Sequence, residues 1–233
     1  YAVLMKNSKR LNLKLLENFA FEFGKVLNYG KNNYVIYDKI FNENPFHFDG
    51  ISTLDKKRIP DHLFFYVDEV SSAKEGKFKI LNCESVLQSI DAETKDYLRK
   101  TKLEYYGYPT LKNRNPSPYE FMFRSSCIVK EEGKEILRMQ IPSSNKELFS
   151  IEDKFVFCKS SNYRTKFENS SGKQTANIFK LLHKAFYEKD HLLEIQFEVG
   201  DLLITKNKFT FHGRHGTKIP LNRKMYRFQV ISF

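Results

Sequence analysis

His47 and Asp49 stand two apart in the stretch PFHFDGIS, residues 45–52, with Phe46 and Phe48 interleaved and Gly50 directly after. On an extended strand alternate residues share a face, so the imidazole and the carboxylate point one way and the two phenylalanines the other. A histidine and an aspartate aimed at one spot are either a hydrogen-bonded pair or two ligands of one metal ion. The choice depends on whether the chain supplies a third ligand. The block VGDLLITKNKFTFHGRHG carries His212 near the end of an apolar strand, 163 positions after Asp49, and Arg223 and Arg227 follow in LNRKMYRFQV. These arginines are four apart, which puts both guanidinium groups on one face of a strand. Two inward arginines are costly unless each meets an anion.

Two imidazoles and one carboxylate are the donor set of the facial triad in non-haem Fe(II) oxygenases. Three protein ligands on one face of an octahedron leave three positions, two for a chelating co-substrate and one for O2. An arginine nearby suits the far end of a dicarboxylate, which it grips through two parallel hydrogen bonds. His47, Asp49 and His212 are therefore the candidate catalytic metal ligands. HxD alone occurs by chance in many proteins. The weight comes from four features in the right order, on strand-like flanks, with an arginine at the right offset.

The elements around these residues follow from periodicity. NLKLLENFAFEFGKVLNY places Leu13, Leu15, Leu16, Phe19 and Phe23 at helical spacing, with Gly24 where a helix can end. YAVLMKN, NNYVIYDKI, DHLFFYVDEV and KFKILN read as strands. CESVLQSIDAETKDYLRKTK reads as helical, with Ser89 or Asp91 available as a cap. EEGKE is a plausible hairpin turn between two strands, GKQTANIFKLLHKAFYEKD is strongly helical, and HLLEIQFEVGDLLITKNKFTFHGR and KMYRFQVISF return to strand. Many strands with two or three helices predict one α+β domain built around a β-sandwich or barrel.

The chain has 233 residues with 41% hydrophobic content, enough for one sizeable core. No apolar run is long enough to span a bilayer, and no signal peptide is visible. The sequence starts at Tyr1, so a short N-terminal piece is expected to precede it. Cys83, Cys127 and Cys158 are odd in number and far apart, which argues against a disulfide framework or a cysteine zinc site and for a reducing cytoplasm. The net charge of +11 raises nucleic acid as a partner. Its lysines are scattered among acids, which reads instead as a solvated surface. Arg214 and His215 read as mouth or surface residues, and His62, His183 and His191 as solvent or helix-end histidines. Tyr105 and Tyr106 read as core or lid aromatics, and Arg138 as facing either substrate or solvent.

On these residues the sequence resembles the TauD/TfdA (taurine dioxygenase-like) family of Fe(II)/2-oxoglutarate-dependent dioxygenases along nearly its whole length. LENFAFEFGKVLNY is similar to the family's N-terminal helix. FHFDGIS matches its HxD strand, RIPDHLFFYVDEV the strand after it, GDLLITKNKFTFHGR the strand of the distal histidine, and NRKMYRF the paired arginines. The resemblance implies a double-stranded β-helix (jelly-roll) core flanked by helices, with residues 1–233 as a single domain. It implies Fe(II) on His47, Asp49 and His212, and 2-oxoglutarate with its distal carboxylate on Arg223. Arg227 would lie beside it, near substrate or co-substrate, or serve as a structural ion-pair partner. There is one departure. The family has a threonine after its Gly-Gly turn for the same carboxylate, and KEGKFKI puts Phe78 near that position. Either Lys77, Lys79 or a neighbour substitutes, or the co-substrate pocket is altered. Asp49 disfavours the family's halogenases, which lack that carboxylate, and the long gap to His212 disfavours AlkB-like nucleic-acid demethylases.

The implied activity is oxidation of a C–H bond by hydroxylation or desaturation, with release of succinate and CO2. HFDGIS and RIPDHLFFYV are also similar to dioxygenases of isonitrile biosynthesis, so a small amino-acid-derived carboxylate in secondary metabolism is the expected substrate, with O2. Nucleic acid and membrane are not expected partners, and self-association is left open. A reading of a different class, raised by Phe78 and the net charge, is a non-catalytic or nucleic-acid-binding protein on a degenerate oxygenase scaffold.

Overall fold

The computed structural model describes residues 1–6, 11–27, 35–38, 43–51, 59–70, 76–110, 115–140, 149–152, 155–158, 163–187, 192–217 and 223–233. It is an α+β structure in which every described strand pairing is antiparallel. One sheet runs in the order Ala2–Met5, Leu202–Lys206, His62–Val70, Arg223–Ile231 and Lys25–Val26, with Val35–Asp38 also paired to Arg223–Ile231. A second runs Leu192–Ile195, Phe78–Asn82, Thr210–Arg214 and Asn44–His47. Leu63, Phe65, Val67, Leu203 and Met225 of the first sheet pack with Phe78, Ile80 and Ile195 of the second in one buried cluster.

The last strand shows how the period of two distributes work. Met225 faces the second sheet, while Phe228 and Val230 lie on the other face with Leu16 and Ala20 of the helix Leu13–Phe21. That helix starts on Asn12, whose side chain accepts the Leu15 N–H at 2.9 Å. It exits through Gly24 at φ +147, where a Cβ would lie 2.0 Å from the carbonyl oxygen of Ile231. Only glycine allows the chain to lie that close to the end of the last strand.

A further five-stranded sheet runs Phe149–Glu152, Phe155–Cys158, Tyr163–Phe167, Lys102–Tyr106 and Phe121–Ser126. With the helix Gly172–Phe186 it closes the largest buried cluster, which takes in Phe46 and Phe48. These two residues are 0% and 3% exposed, and each burial contributes about 1.5–3 kcal/mol. They anchor the back of the HxD segment, so the residues between them face elsewhere.

Several expectations are refined by the structure. The helical stretch from Cys83 is two helices, Cys83–Ser89 and Ala92–Lys100. Asp91 starts the second by accepting the Thr94 N–H at 2.7 Å, whereas the Ser89 hydroxyl donates back to Val86 and caps nothing. Lys102 opens a strand rather than extending the helix. Neighbouring positions of that strand, Leu103, Glu104 and Tyr105, are all buried, so the sequence shows no alternation there. The EEGKE hairpin joins Ile128–Glu131 to Lys134–Leu137 with positive φ at Glu132 and Gly133, the turn whose twist suits paired strands.

Candidate metal centre

His47 and His212 are directly opposed across neighbouring strands, with ring centroids 4.3 Å apart. Gly213 permits this approach, because a Cβ there would stand 2.7 Å from the Asn44 carbonyl oxygen. The Nε2 atoms of His47 and His212 lie 3.8 and 3.6 Å from Oδ1 of Asp49. The three side chains offer ligand atoms all within 4.8 Å of one another.

Their hydrogen bonding tests whether a cation fits. Nδ1 of His47 is 2.8 Å from the Pro45 carbonyl oxygen, so that nitrogen donates and Nε2 carries the lone pair. Burial first, and then the neighbouring His212, bring the His47 imidazole down to about 4, so it is neutral near pH 7. A lone pair therefore faces a carboxylate oxygen, two acceptors with no proton between them. Nδ1 of His212 is buried and meets no hydrogen-bond partner among the described residues. A divalent metal bound by nitrogen and oxygen fits this donor set.

Burial alone would raise the Asp49 carboxyl. Arg227 foremost, with the two imidazoles, outweighs burial and holds it well below the usual carboxylate range. The two oxygens of Asp49 have different company. Oδ1 faces the histidines. Oδ2 accepts from the Gln229 amide and from Nη1 of Arg227, the latter at 3.2 Å. The backbone of Asp49 is fixed as well. Its N–H donates to Oδ1 of Asn207 at 2.9 Å, and the Asn207 amide donates to the carbonyls of Asp49 and Pro60 at 3.0 and 2.8 Å. Asn207 is fully buried. Asn207 is the asparagine of the distal-histidine stretch GDLLITKNKFTFHGR, to which the resemblance gave no role, and Gln229 was not singled out. Gln229 had a signal, since it lies two positions beyond Arg227 on the face that carries both arginines.

Arg223 is 5% exposed, its guanidinium 5.8 Å over Phe197 and its Nη1 3.5 Å from the Gly76 carbonyl. Phe78 links it to the centre, 5.3 Å from Phe197 and stacked on His212 at 5.9 Å. The lysines on either side of Phe78 point elsewhere. Lys77 is exposed and pairs with Glu194 at 3.0 Å. Lys79 is buried against Glu43 between Phe46 and Tyr187.

Of the other positions, Arg214 departs from the sequence reading, while Tyr105 in the core and His183 at a helix end agree with it. Arg214 is 4% exposed, because it continues the His212 strand inward, rather than lying at a mouth or surface. His215 is half-buried against Glu194. His183 is buried beside Tyr187 in the last turn of its helix, not in solvent. His62 sits against Phe23, and His191 lies outside the described residues. Tyr105 is a core residue, and Tyr106 is half-buried with its hydroxyl on Glu104.

The neutrality of His47 has a consequence for the metal-free protein. An unfolded imidazole takes its proton near pH 6.5, and the folded one only near pH 4. Between those values the unfolded state binds more protons, so stability falls as pH drops through this window. Urea unfolding of the metal-free protein should show lower stability at pH 5 than at pH 7, and His47→Gln should flatten that slope.

The fold has relatives among solved structures. PvcB from Pseudomonas aeruginosa superposes with a TM-score of 0.72 at 16% identity, covering 99% of this chain and 76% of the other. A second PvcB structure, described as an Fe, alpha-ketoglutarate dependent oxygenase from an isonitrile synthetic pathway, gives 0.71 at 15% over 99% and 76%. A taurine dioxygenase from Burkholderia xenovorans gives 0.69 at 13% over 100% and 77%. These likenesses concern the fold. No curated protein matches the chain. The family model described as taurine catabolism dioxygenase TauD, TfdA family matches residues 20–229. A match over that much of the sequence decides the question of kinship: the chain belongs to the TauD/TfdA family of Fe(II)/2-oxoglutarate-dependent dioxygenases.

Proposed function

We propose that His47, Asp49 and His212 hold Fe(II), that Arg223 grips the distal carboxylate of 2-oxoglutarate, and that the enzyme oxidises a C–H bond of a small amino-acid-derived carboxylate. The two facing sheets form a double-stranded β-helix in this reading, and residues 1–233 act as one domain. The observation that carries it is the convergence of two imidazole Nε2 atoms on one carboxylate oxygen in a buried setting. The likeness to PvcB supports an amino-acid-derived substrate. Buried free thiols at Cys83 and Cys127 suit work in a reducing cytoplasm.

The chain's own residues do the positioning. His47 is held in one tautomer by the Pro45 carbonyl, which aims Nε2 at the metal position. Asn207 fixes the backbone of Asp49. Gln229 and Arg227 occupy Oδ2, which leaves Oδ1 as the donating oxygen. Arg227 thereby acts on Asp49, and the co-substrate falls to Arg223. Phe78 gives the pocket beside His212 an apolar wall where the family has a hydroxyl, and the neighbouring lysines face away, so the pocket is altered rather than compensated. When bound, Fe(II) couples the decarboxylation of 2-oxoglutarate by O2 to substrate oxidation.

Anaerobic addition of Fe(II) and 2-oxoglutarate should produce the weak visible absorption of the chelate, and air should then yield succinate. Absence of both overturns the reading. A finer result concerns Gln229. Gln229→Leu keeps the bulk and removes the donor to Oδ2, and should weaken Fe(II) binding by about 10-fold, the lower end for loss of a ligand's supporting hydrogen bond. Competition with a chromogenic chelator measures it.

A further inference from the structure

The strand that carries His47 is short and weakly laddered. Asn44–His47 has four residues and, among the described residues, lies at the edge of its sheet and pairs only with Thr210–Arg214. Pro45 has no N–H to give to that ladder. The register also shifts. His47 stands opposite His212 and Asn44 opposite Arg214, so Pro45 and Phe46 together face Gly213 alone. Such an extra residue is a β-bulge, and bulges beside functional sites re-aim side chains. The alignment matters because side chains alternate along a strand. Continued from Asn44 without the bulge, Phe46 would stand opposite His212, and His47 would turn to the other face.

Behind this bulge lies a buried ion pair. Lys79, 0% exposed, stands opposite Gly213 on the neighbouring strand Phe78–Asn82. Gly213 has no side chain to block it, and the Lys79 ammonium reaches Oε1 of Glu43, the residue just before Asn44. The ammonium also lies 4.8 Å over Phe46 and 5.0 Å over Tyr187, whose hydroxyl is 3.5 Å from the same Glu43 oxygen. Tyr187 ends the helix Gly172–Phe186. One lysine thus holds the residue before the strand and a residue of the bulge, and ties both to a helix end. Burial, the largest effect, pulls the Lys79 amine below its ordinary value, and the Glu43 carboxylate opposes it. Apolar side chains in place of a buried ion pair are often as stable or more so. The best-attested use of such a pair is to specify register.

We propose that Lys79 and Glu43 are positioning residues: the pair holds the bulge that keeps His47 opposite His212, and so maintains the metal-ligand geometry from the face away from the metal. This rests on the oxygenase reading above.

The test separates register from stability. Lys79→Met combined with Glu43→Leu replaces the pair by apolar side chains of similar length. The urea unfolding midpoint of this double variant should stay at or above the wild type. Its Fe(II) dissociation constant, read by chelator competition, should rise by about 10-fold, as for loss of a group that supports a metal ligand. The visible band of its Fe(II)–2-oxoglutarate chelate should shift, since His47 then meets the ion at a changed angle. Lys79→Met alone leaves Glu43 buried without its cation and should lower the unfolding midpoint. Glu43→Gln keeps the bulk and an acceptor but removes the charge, and should weaken Fe(II) binding by about threefold. It carries the test if the double variant does not fold. A double variant, or in its absence a Glu43→Gln protein, that is stable and binds Fe(II) like the wild type overturns the proposal; packing of Phe46 and Phe48 is then enough to set the register. A double variant that loses stability and Fe(II) affinity together overturns it too, because a loosened fold accounts for both. A wild type that binds no Fe(II) defeats the oxygenase reading, and the positioning role falls with it.

Discussion

Asp49→Ala should abolish the visible absorption of the Fe(II)–2-oxoglutarate chelate and lower succinate release by more than about 100-fold, exceeding what loss of an outer partner costs a metal site. The effect is large because Asp49 is the one acid of the triad and both imidazoles converge on its Oδ1. Without it only the two imidazole nitrogens remain, and the cation of Arg227, left without its carboxylate, repels a metal ion. His212→Ala should behave alike, since Phe78 and Phe65 beside it carry no donor that could replace its Nε2. The chelate band, equilibrium Fe(II) binding and succinate release should fail together. An Asp49→Ala protein that binds Fe(II) like the wild type would remove the triad from consideration.

Arg223→Met should raise the KM for 2-oxoglutarate by at least about 100-fold and leave Fe(II) affinity nearly unchanged. Two charge-assisted hydrogen bonds contribute about 1.5–3 kcal/mol each, and about 1.4 kcal/mol is tenfold. Burial keeps water from substituting for the lost guanidinium. Arg223→Lys should recover only part of the loss, because an ammonium is a point charge and cannot reproduce the planar fork. Arg227 is not a reserve, since it is already engaged with Oδ2 of Asp49. Arg227→Met should therefore weaken Fe(II) binding more than it raises the KM for 2-oxoglutarate. The opposite pattern would exchange the two roles. Initial rates with varied 2-oxoglutarate, together with chelator competition, separate them.

The aims of single strands were legible in the sequence because they depend on local geometry. Phe46 and Phe48 pack in one core cluster while His47 and Asp49 approach each other at the centre, although the strand itself ends at His47 and Asp49 lies in the turn after it. Arg223, Met225, Arg227 and Gln229 share a face because a strand has a period of two. The helices at Leu13–Phe21 and Gly172–Phe186 announced themselves through apolar spacing. Strands of the five-stranded sheet did not, because Leu103, Glu104 and Tyr105 are covered on both sides and leave no alternation to read.

What tertiary structure alone decided is which of these well-aimed groups meet. His47 and His212 are more than 160 positions apart, and only strand pairing puts one opposite the other. The division of Asp49 between imidazoles on one oxygen and Gln229 with Arg227 on the other needs three strands of two sheets at once. Lys79 is one residue from Phe78, yet the pleat carries it to the opposite face and to Glu43. Sequence period fixes direction along one element; distance between elements is set by how the whole core packs, and the chemistry depends on that distance.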